Sequence, residues 1–208
     1  MDLKAHWETI YRQTPPGEVG WYTPRLDASL KLLTHAGLHA ASRVIDVGAG
    51  ASTLVDDLVE RGMRAITALD LSGEALAVAK ARLGPRADAV EWMEADITRV
   101  SLPSESYDLW HDRAVFHFLT SAEDRRRYVM TMTSALKPSG QAVMATFSLH
   151  GPPRCSGLDV VRYSPEILQA ELGKGFQLVE AVEEDHRTPF DTVQRFIYCR
   201  FQRVTPAA

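Results

Sequence analysis

Apolar and polar positions alternate in two rhythms along this chain. The run "RVIDVG" (43–48) is short and β-branched and predicts a buried strand. "STLVDDLVERG" follows with Leu54 and Leu58 on one face; it predicts a helix capped by Ser52 or Thr53 and ended by Gly62. "AITALD" (65–70) predicts a second strand. "SGEALAVAKARLG" predicts a second helix, capped by Ser72, striped by Leu76, Ala79 and Leu83, and stopped at Gly84-Pro85. Further strands are predicted at "AVEWMEADI" (89–97), "YDLWHD" (107–112) and "QAVMATFSL" (141–149). "AEDRRRYVMTMTSAL" reads as a helix with Tyr128, Met132, Ala135 and Leu136 on one side, terminated by "KPSG". Ser164-Pro165 opens another helix, because proline suits a first helical turn. "FQLVEAVEE" and "VQRFIYCRF" read as strands joined by a link too short for a crossover, hence antiparallel. Before all this, "DLKAHWETIYRQ" and "LDASLKLLTHAGL" read as helices, separated by a loop holding Pro15, Pro16, Gly17, Gly20 and Pro24.

Strands alternating with helices predict an α/β fold, a doubly wound and mostly parallel sheet covered on both faces. A chain of 208 residues suits one domain. Its expected parts are an N-terminal helical, aromatic cap (1–40), a ligand-binding core (41–150), and a loop, helix and strand pair on the substrate side (151–205). The tail "TPAA" is expected to fray.

Charge adds exclusions. The formal net charge of −4, with acids and bases mixed, offers no footprint for nucleic acid and no polybasic membrane patch. No apolar run approaches the roughly 20 residues of a membrane span, and the first twenty residues carry no apolar signal core. Cys155 and Cys199 make neither a metal-ligand spacing nor a disulfide framework, which fits a reducing, cytoplasmic setting.

The binding motif is "VIDVGAGAST" (44–53). Gly48 and Gly50 lie between a strand and a helix, where positive φ and close backbone approach are needed. Asp70 follows Gly50 by twenty residues at the end of the next strand, where an acid accepts from ribose hydroxyls. A dinucleotide fingerprint needs a third glycine where this chain has Thr53, and Asp46 before the turn would repel a pyrophosphate. An ammonium or other cation suits that carboxylate.

With these residues in place, the chain resembles the class I S-adenosylmethionine-dependent methyltransferases, from about Trp7 to Phe201. Asp46-Val-Gly48-Ala-Gly50 looks like the family's first motif, with Ser52 where many members carry a third glycine. Asp70 looks like its ribose acid, with Leu71 beside it, and Asp96-Ile97 like its adenine-binding motif. "YDLWHD" resembles the fourth motif and "LKPSGQAVMATF" the helix–turn–strand before the substrate region. The resemblance implies seven strands, the last antiparallel, and S-adenosylmethionine as cofactor, with Asp46, Gly48, Gly50, Ser52, Asp70, Leu71, Asp96, Ile97 and His111 around it.

"YDLWHDRAVFHFL" (107–119) carries titratable groups at the end of a core strand, at the ligand edge. Burying them is costly without partners, so residues 111–117 are expected to face the transferable methyl. His111 and His117 are the candidate bases, histidine titrating near neutrality; Asp112 can orient one of them or hold a cationic acceptor. Arg113 can bind an acceptor carboxylate or pair with Asp112, and the bland alternative is that Asp112 and Arg113 only fix the turn. In "HGPPRCSGLDVVRY" (150–163), expected to lack secondary structure, His150, Arg154, Cys155, Arg162 and Tyr163 are candidate acceptor contacts, Cys155 as a thiol or metalloid ligand. Trp21 and Tyr22, flanked by breakers, can fold over the site as a lid. Trp7 and Tyr11 read as core or cap, Gln194 as able to reach the site, and His186 as a surface residue. The expected acceptor is a small molecule: a thiol, hydroxyl, amine or metalloid. A protein lysine is the next choice, since the N-terminal arrangement with "RAVFHFL" is similar to methyltransferases of translation-factor lysines. A non-catalytic nucleoside sensor and a nicotinamide oxidoreductase are the other classes.

Overall fold

The computed structural model describes residues 2–204. The expected fraying of "TPAA" therefore falls on residues outside the described range. The elements in chain order are α1 (Leu3–Gln13), α2 (Asp27–His35), β1 (Val44–Val47), α3 (Leu54–Glu60), β2 (Ile66–Asp70), α4 (Gly73–Leu83), β3 (Val90–Glu94), β4 (Tyr107–Arg113), α5 (Ala122–Ala135), β5 (Leu136–Phe147), β6 (Arg154–Cys155), β7 (Leu158–Asp159), α6 (Pro165–Leu172), β8 (Phe176–Arg187) and β9 (Val193–Arg203).

Seven strands form one sheet in the order β3-β2-β1-β4-β5-β9-β8. The first five are parallel, and β9 runs antiparallel to both its neighbours. This is the Rossmann-like, doubly wound sheet with one reversed strand. The carboxyl ends of β1, β2, β3 and β4 thus share one edge, where such sheets bind ligands.

Residue parity divides the core between the two faces. Val44, Leu109, Val143, Phe196 and Tyr198 pack with the leucines of α2, α3 and α4 on one side. Ile45, Val47, Trp110, Ile197 and Phe201 pack with Tyr128, Met132 and Leu168 of α5 and α6 on the other. All four residues of β1 are buried, as a central parallel strand requires.

Capping follows the sequence closely. Ser72 Oγ accepts from Ala75 N and Ser164 Oγ from Ile167 N. Ser52, rather than Thr53, supports α3, accepting from Leu54 N.

Three boundaries differ. β3 stops at Glu94 instead of Ile97, because Asp96 accepts from the Thr98 amide and hydroxyl and bends the chain. β5 starts at Leu136 rather than Gln141. Lys137–Gly140 enters it irregularly, with Ser139 at φ +63° and a register shift against β4. The connection 150–163 holds the small hairpin β6–β7, whose turn residues Ser156 and Gly157 both have positive φ.

Candidate active site

At the carboxyl edge, Gly48 and Gly50 adopt φ of +68° and +52°. A Cβ on Gly48 would lie 1.9 Å from Val115 Cγ2, and one on Gly50 would lie 2.6 Å from the Tyr11 hydroxyl. The turn is therefore a cradle that side chains would fill. Asp70 ties it to β2, its two carboxylate oxygens accepting from Gly50 N at 2.9 Å and Ser72 N at 2.8 Å. Burial pushes the Asp70 carboxyl up to about 6, against the pull of those two amides.

Gly48 and Asp70 open onto a cavity of about 460 Å³, whereas Gly50, under the Tyr11 hydroxyl, lines neither this cavity nor the smaller one beside it. One end holds Gly48, Asp70, Leu71, Asp96 and Ile97; the other is walled by Trp7, Trp21, Phe118, Phe147 and Phe196, with Arg113 and Cys155. Helix α1 closes the top with Lys4, Trp7 and Tyr11, spaced to share one face. Its N-terminus is capped by Asp2, and two ion pairs moor it, Lys4 to Glu94 at 2.5 Å and Arg12 to Glu74 at 2.9 Å. Trp7 meets Trp21 and Phe118 edge-on at 5.7 and 5.1 Å. A side cavity of about 50 Å³ shares Tyr11, Trp21, Gly48 and Arg113 with the large one and adds Tyr22, Asp46, Ser52 and His111.

The titratable groups of β4 take other places than expected. Of residues 111–117, only Arg113, Ala114 and Val115 line the large cavity. His111 is buried, with Nδ1 2.6 Å from Asp46 Oδ1 and Nε2 2.9 Å from Ser29 Oγ. Both ring nitrogens are engaged, so neither is free to take an acceptor's proton. Asp112 is fully buried and accepts from the Val115 and Phe116 amides and from the Tyr128 hydroxyl at 2.5 Å. It orients no histidine and pairs with no arginine. It fixes the turn in which Ala114 takes φ +69°, and that turn presses Val115 onto Gly48. Burial raises its carboxyl to about 6. His117 is also fully buried; Nδ1 accepts from Phe147 N, Nε2 has no partner, and burial lowers the ring to about 3. A neutral, enclosed imidazole that lines neither cavity is not placed to serve as the base.

Arg113 departs from the expected pair with Asp112. Its Nε donates to the Tyr198 hydroxyl, its Nη1 donates to Trp21 O, and its guanidinium lies 4.7 Å over the Phe196 ring.

In the 150–163 connection only Cys155 reaches the cavity, and burial raises its thiol. Arg162 is exposed and folds back onto Leu149 O and Gly151 O, so it does not reach the acceptor region. Arg154 pairs with Asp159 across the hairpin, and His150 is exposed. Tyr163 is buried against Phe116. His186 is not a surface residue: it is 6% exposed, with Nε2 3.0 Å from Gly20 O. Gln194 lies near Gly20 but lines neither cavity.

Sequence reasoning missed Val115, Phe118, Phe147 and Phe196 as cavity walls and placed Trp7 and Tyr11 in the core or a cap. The i, i+4 spacing of Trp7 and Tyr11 on an otherwise charged helix was the available signal.

Comparison with known proteins agrees with this geometry. Residues 44–140 match the family model described as "Methyltransferase domain". N-methyltransferase NodS from Bradyrhizobium japonicum WM9, in complex with S-adenosylhomocysteine, superposes with a TM-score of 0.76 at 19% identity over 100% of both chains. A structure described as "Conversion of a Disulfide Bond into a Thioacetal Group during Echinomycin Biosynthesis" superposes at 0.76, with 20% identity over 99% of this chain and 94% of that one. The eEF1A lysine and N-terminal methyltransferase of Mus musculus is 23% identical over 57% of this chain, a stretch that spans 17% of the relative's own length. Residues 44–140 are thus a methyltransferase domain, on a sheet with the fold of S-adenosylmethionine-dependent methyltransferases, and the glycine cradle beside Asp70 fits S-adenosylmethionine as the cofactor. Among the described residues no helix is long and apolar enough to cross a membrane.

Proposed function

We propose that the methyl acceptor is a small molecule held at the aromatic end of the large cavity. The observation that carries this reading is the roof: α1 and Trp21 cover a space walled by Trp7, Phe118, Phe147 and Phe196, which suits an enclosed ligand. In this reading Asp70 takes the ribose hydroxyls, Leu71 and Ile97 flank the adenine, and Asp96 holds its amino group. The Gly48–Gly50 backbone and the unpartnered Oδ2 of Asp46 receive the amino acid portion, next to Ser52 and the small cavity.

When bound, the cofactor supplies an electrophilic methyl carbon on a sulfonium. The chain aligns an acceptor against that carbon and keeps water away, which is most of what such a displacement requires. Among the described residues no free base stands at the aromatic end. His111 and His117 are engaged or enclosed, and burial keeps the Cys155 thiol protonated. The reading therefore favours acceptors that arrive as ready nucleophiles, such as a thiolate or a neutral amine. We place the enzyme in a reducing cytoplasm, in keeping with the free thiols of Cys155 and Cys199.

Methylation of a protein lysine is the second reading, favoured by the likeness to the eEF1A lysine methyltransferase. A labelled methyl donor offered with a panel of thiols, amines and phenols, and separately with a protein extract, discriminates the two. Label in small products supports the proposal; label only in polypeptide refutes it.

A further inference from the structure

We propose that Arg82, on α4 and outside both cavities, is a positioning residue for the cofactor: it holds the backbone after the glycine turn in the shape that receives the amino acid portion. This rests on the cofactor placement given above and deepens it.

The turn leaves two carbonyls without backbone partners. Between Gly50 and α3, neither Ala51 O nor Ser52 O receives a main-chain amide among the described residues. Ala51 is 9% exposed, and a main-chain carbonyl out of water needs a donor. Arg82 supplies both, Nη1 donating to Ala51 O at 2.8 Å and Nη2 to Ser52 O at 2.6 Å. Asp56 of α3 fixes the other edge of the fork, accepting from Nε at 3.1 Å and from Nη2 at 2.6 Å. One planar guanidinium thus spans a carboxylate and two successive carbonyls, a set of acceptors that a lysine ammonium does not match. Exposed ion pairs hold little. Here the Arg82 and Asp56 side chains are only 31% and 18% exposed, and the guanidinium ends on loop backbone.

The peptide planes carry this hold to the ligand side. In a trans peptide the C=O and the following N–H point opposite ways. With Ala51 O turned to Arg82, the Ser52 N–H turns away from it and closes onto Ala49 O at 2.9 Å. The amides of Ala49 and Gly50 are tied in turn to Leu69 O and Asp70 Oδ2. Without Arg82 the peptides at 51–53 are free to rotate their carbonyls toward the small cavity, which Ala51, Ser52 and Thr53 line beside Asp46. A carbonyl there repels a carboxylate and narrows the space for the amino acid portion. Asp70, Leu71, Asp96 and Ile97, given above to ribose and adenine, line the large cavity instead. Loss of Arg82 therefore penalises the amino acid portion and spares the nucleoside.

The test compares S-adenosylhomocysteine with 5′-methylthioadenosine, which keeps the nucleoside and the thioether and lacks the amino acid, by calorimetry on the whole chain. The wild type should bind S-adenosylhomocysteine more tightly. Arg82→Met should weaken S-adenosylhomocysteine by about tenfold and 5′-methylthioadenosine by less than about threefold. Arg82→Lys, which keeps the charge but not the fork, should recover only part of the loss. Should Arg82→Met not fold, Asp56→Asn, which loosens the fork, should reduce the preference by a smaller factor, and an unchanged preference there overturns the inference. A lowered urea midpoint in Arg82→Met with the preference intact shows an arginine that serves stability alone and overturns it. Equal weakening of both ligands overturns it too. Equal affinity of the wild type for both ligands overturns the placement of the amino acid portion and the inference with it.

Discussion

On the proposed ribose contact, Asp70 should make cofactor binding depend on pH in a calculable way. Its carboxyl is 8% exposed, and burial raises it from 3.8 to about 6. That rise corresponds to about 3 kcal/mol against keeping the charge in the site. The sign is that of a raised acid. Its contribution to stability is present in full below about 4 and is lost as pH rises through about 6. Ribose hydroxyls donating to the carboxylate favour the ionised form and pull the group down again. Binding therefore expels a proton below pH 6 and none well above it. If the bound group stays ionised at pH 5, the dissociation constant there exceeds its plateau by a factor of 1 + 10^(6−5), about elevenfold. Calorimetry with S-adenosylhomocysteine from pH 4.5 to 7.5, in two buffers of different ionisation heat, reads both the affinity and the proton count. Asp112 titrates in the same range but lines neither cavity, so Asp70→Asn should lose the slope while Asp112 is still present. A flat affinity between pH 5 and 7.5, from folded wild-type protein, refutes the assignment.

Other substitutions probe the cradle and the roof. Gly48→Ala, which places a Cβ 1.9 Å from Val115 Cγ2, should destabilise the fold by more than about 2 kcal/mol in urea unfolding, and Val115→Ala should restore part of the loss. His111→Ala leaves Asp46 and Ser29 buried without their shared partner. It should cost about 2–4 kcal/mol of stability, and an unchanged denaturation midpoint would contradict the structural role. Trp7→Ala should weaken S-adenosylhomocysteine binding at least tenfold by opening the roof. Lys4→Ala, which removes only an exposed ion pair, should change it by less than about threefold; the reverse order in calorimetry would show that charge and not aromatic packing holds α1.

The order of the elements was legible because buried parallel strands and amphipathic helices have different periods. β1 is buried at every position and α4 buries Leu76, Ala79 and Leu83 at helical spacing. The glycine turn was legible because few residue types satisfy positive φ, and Asp70 was legible as the acid that meets that turn from the end of β2. Boundaries set by a single side chain were not. Asp96 ends β3 with an Asx turn, and the same residue type within a strand would have looked alike in sequence. The candidate base was misplaced for a related reason. Residues 111 and 113 point to the same side of β4, but helix α2 supplies Ser29 to cover His111, whereas the space above Arg113 stays open. Which helix covers which end of a strand is a tertiary fact that local pattern does not contain.

That difference explains why β4 carries so many polar groups in an apolar run. A turn at the end of a central strand must present backbone to a ligand without collapsing, and its amides need acceptors that water cannot supply there. Asp112 supplies them from inside, braced by Tyr128, which itself accepts from Trp110 Nε1 at 2.8 Å. His111 braces Asp46 beneath the glycine turn in the same manner. With the turn held from below by one carboxylate and the cradle by another, Arg113 is the titratable group of 111–117 that lines the large cavity. The strand thus uses two buried polar groups to hold the shape of the site.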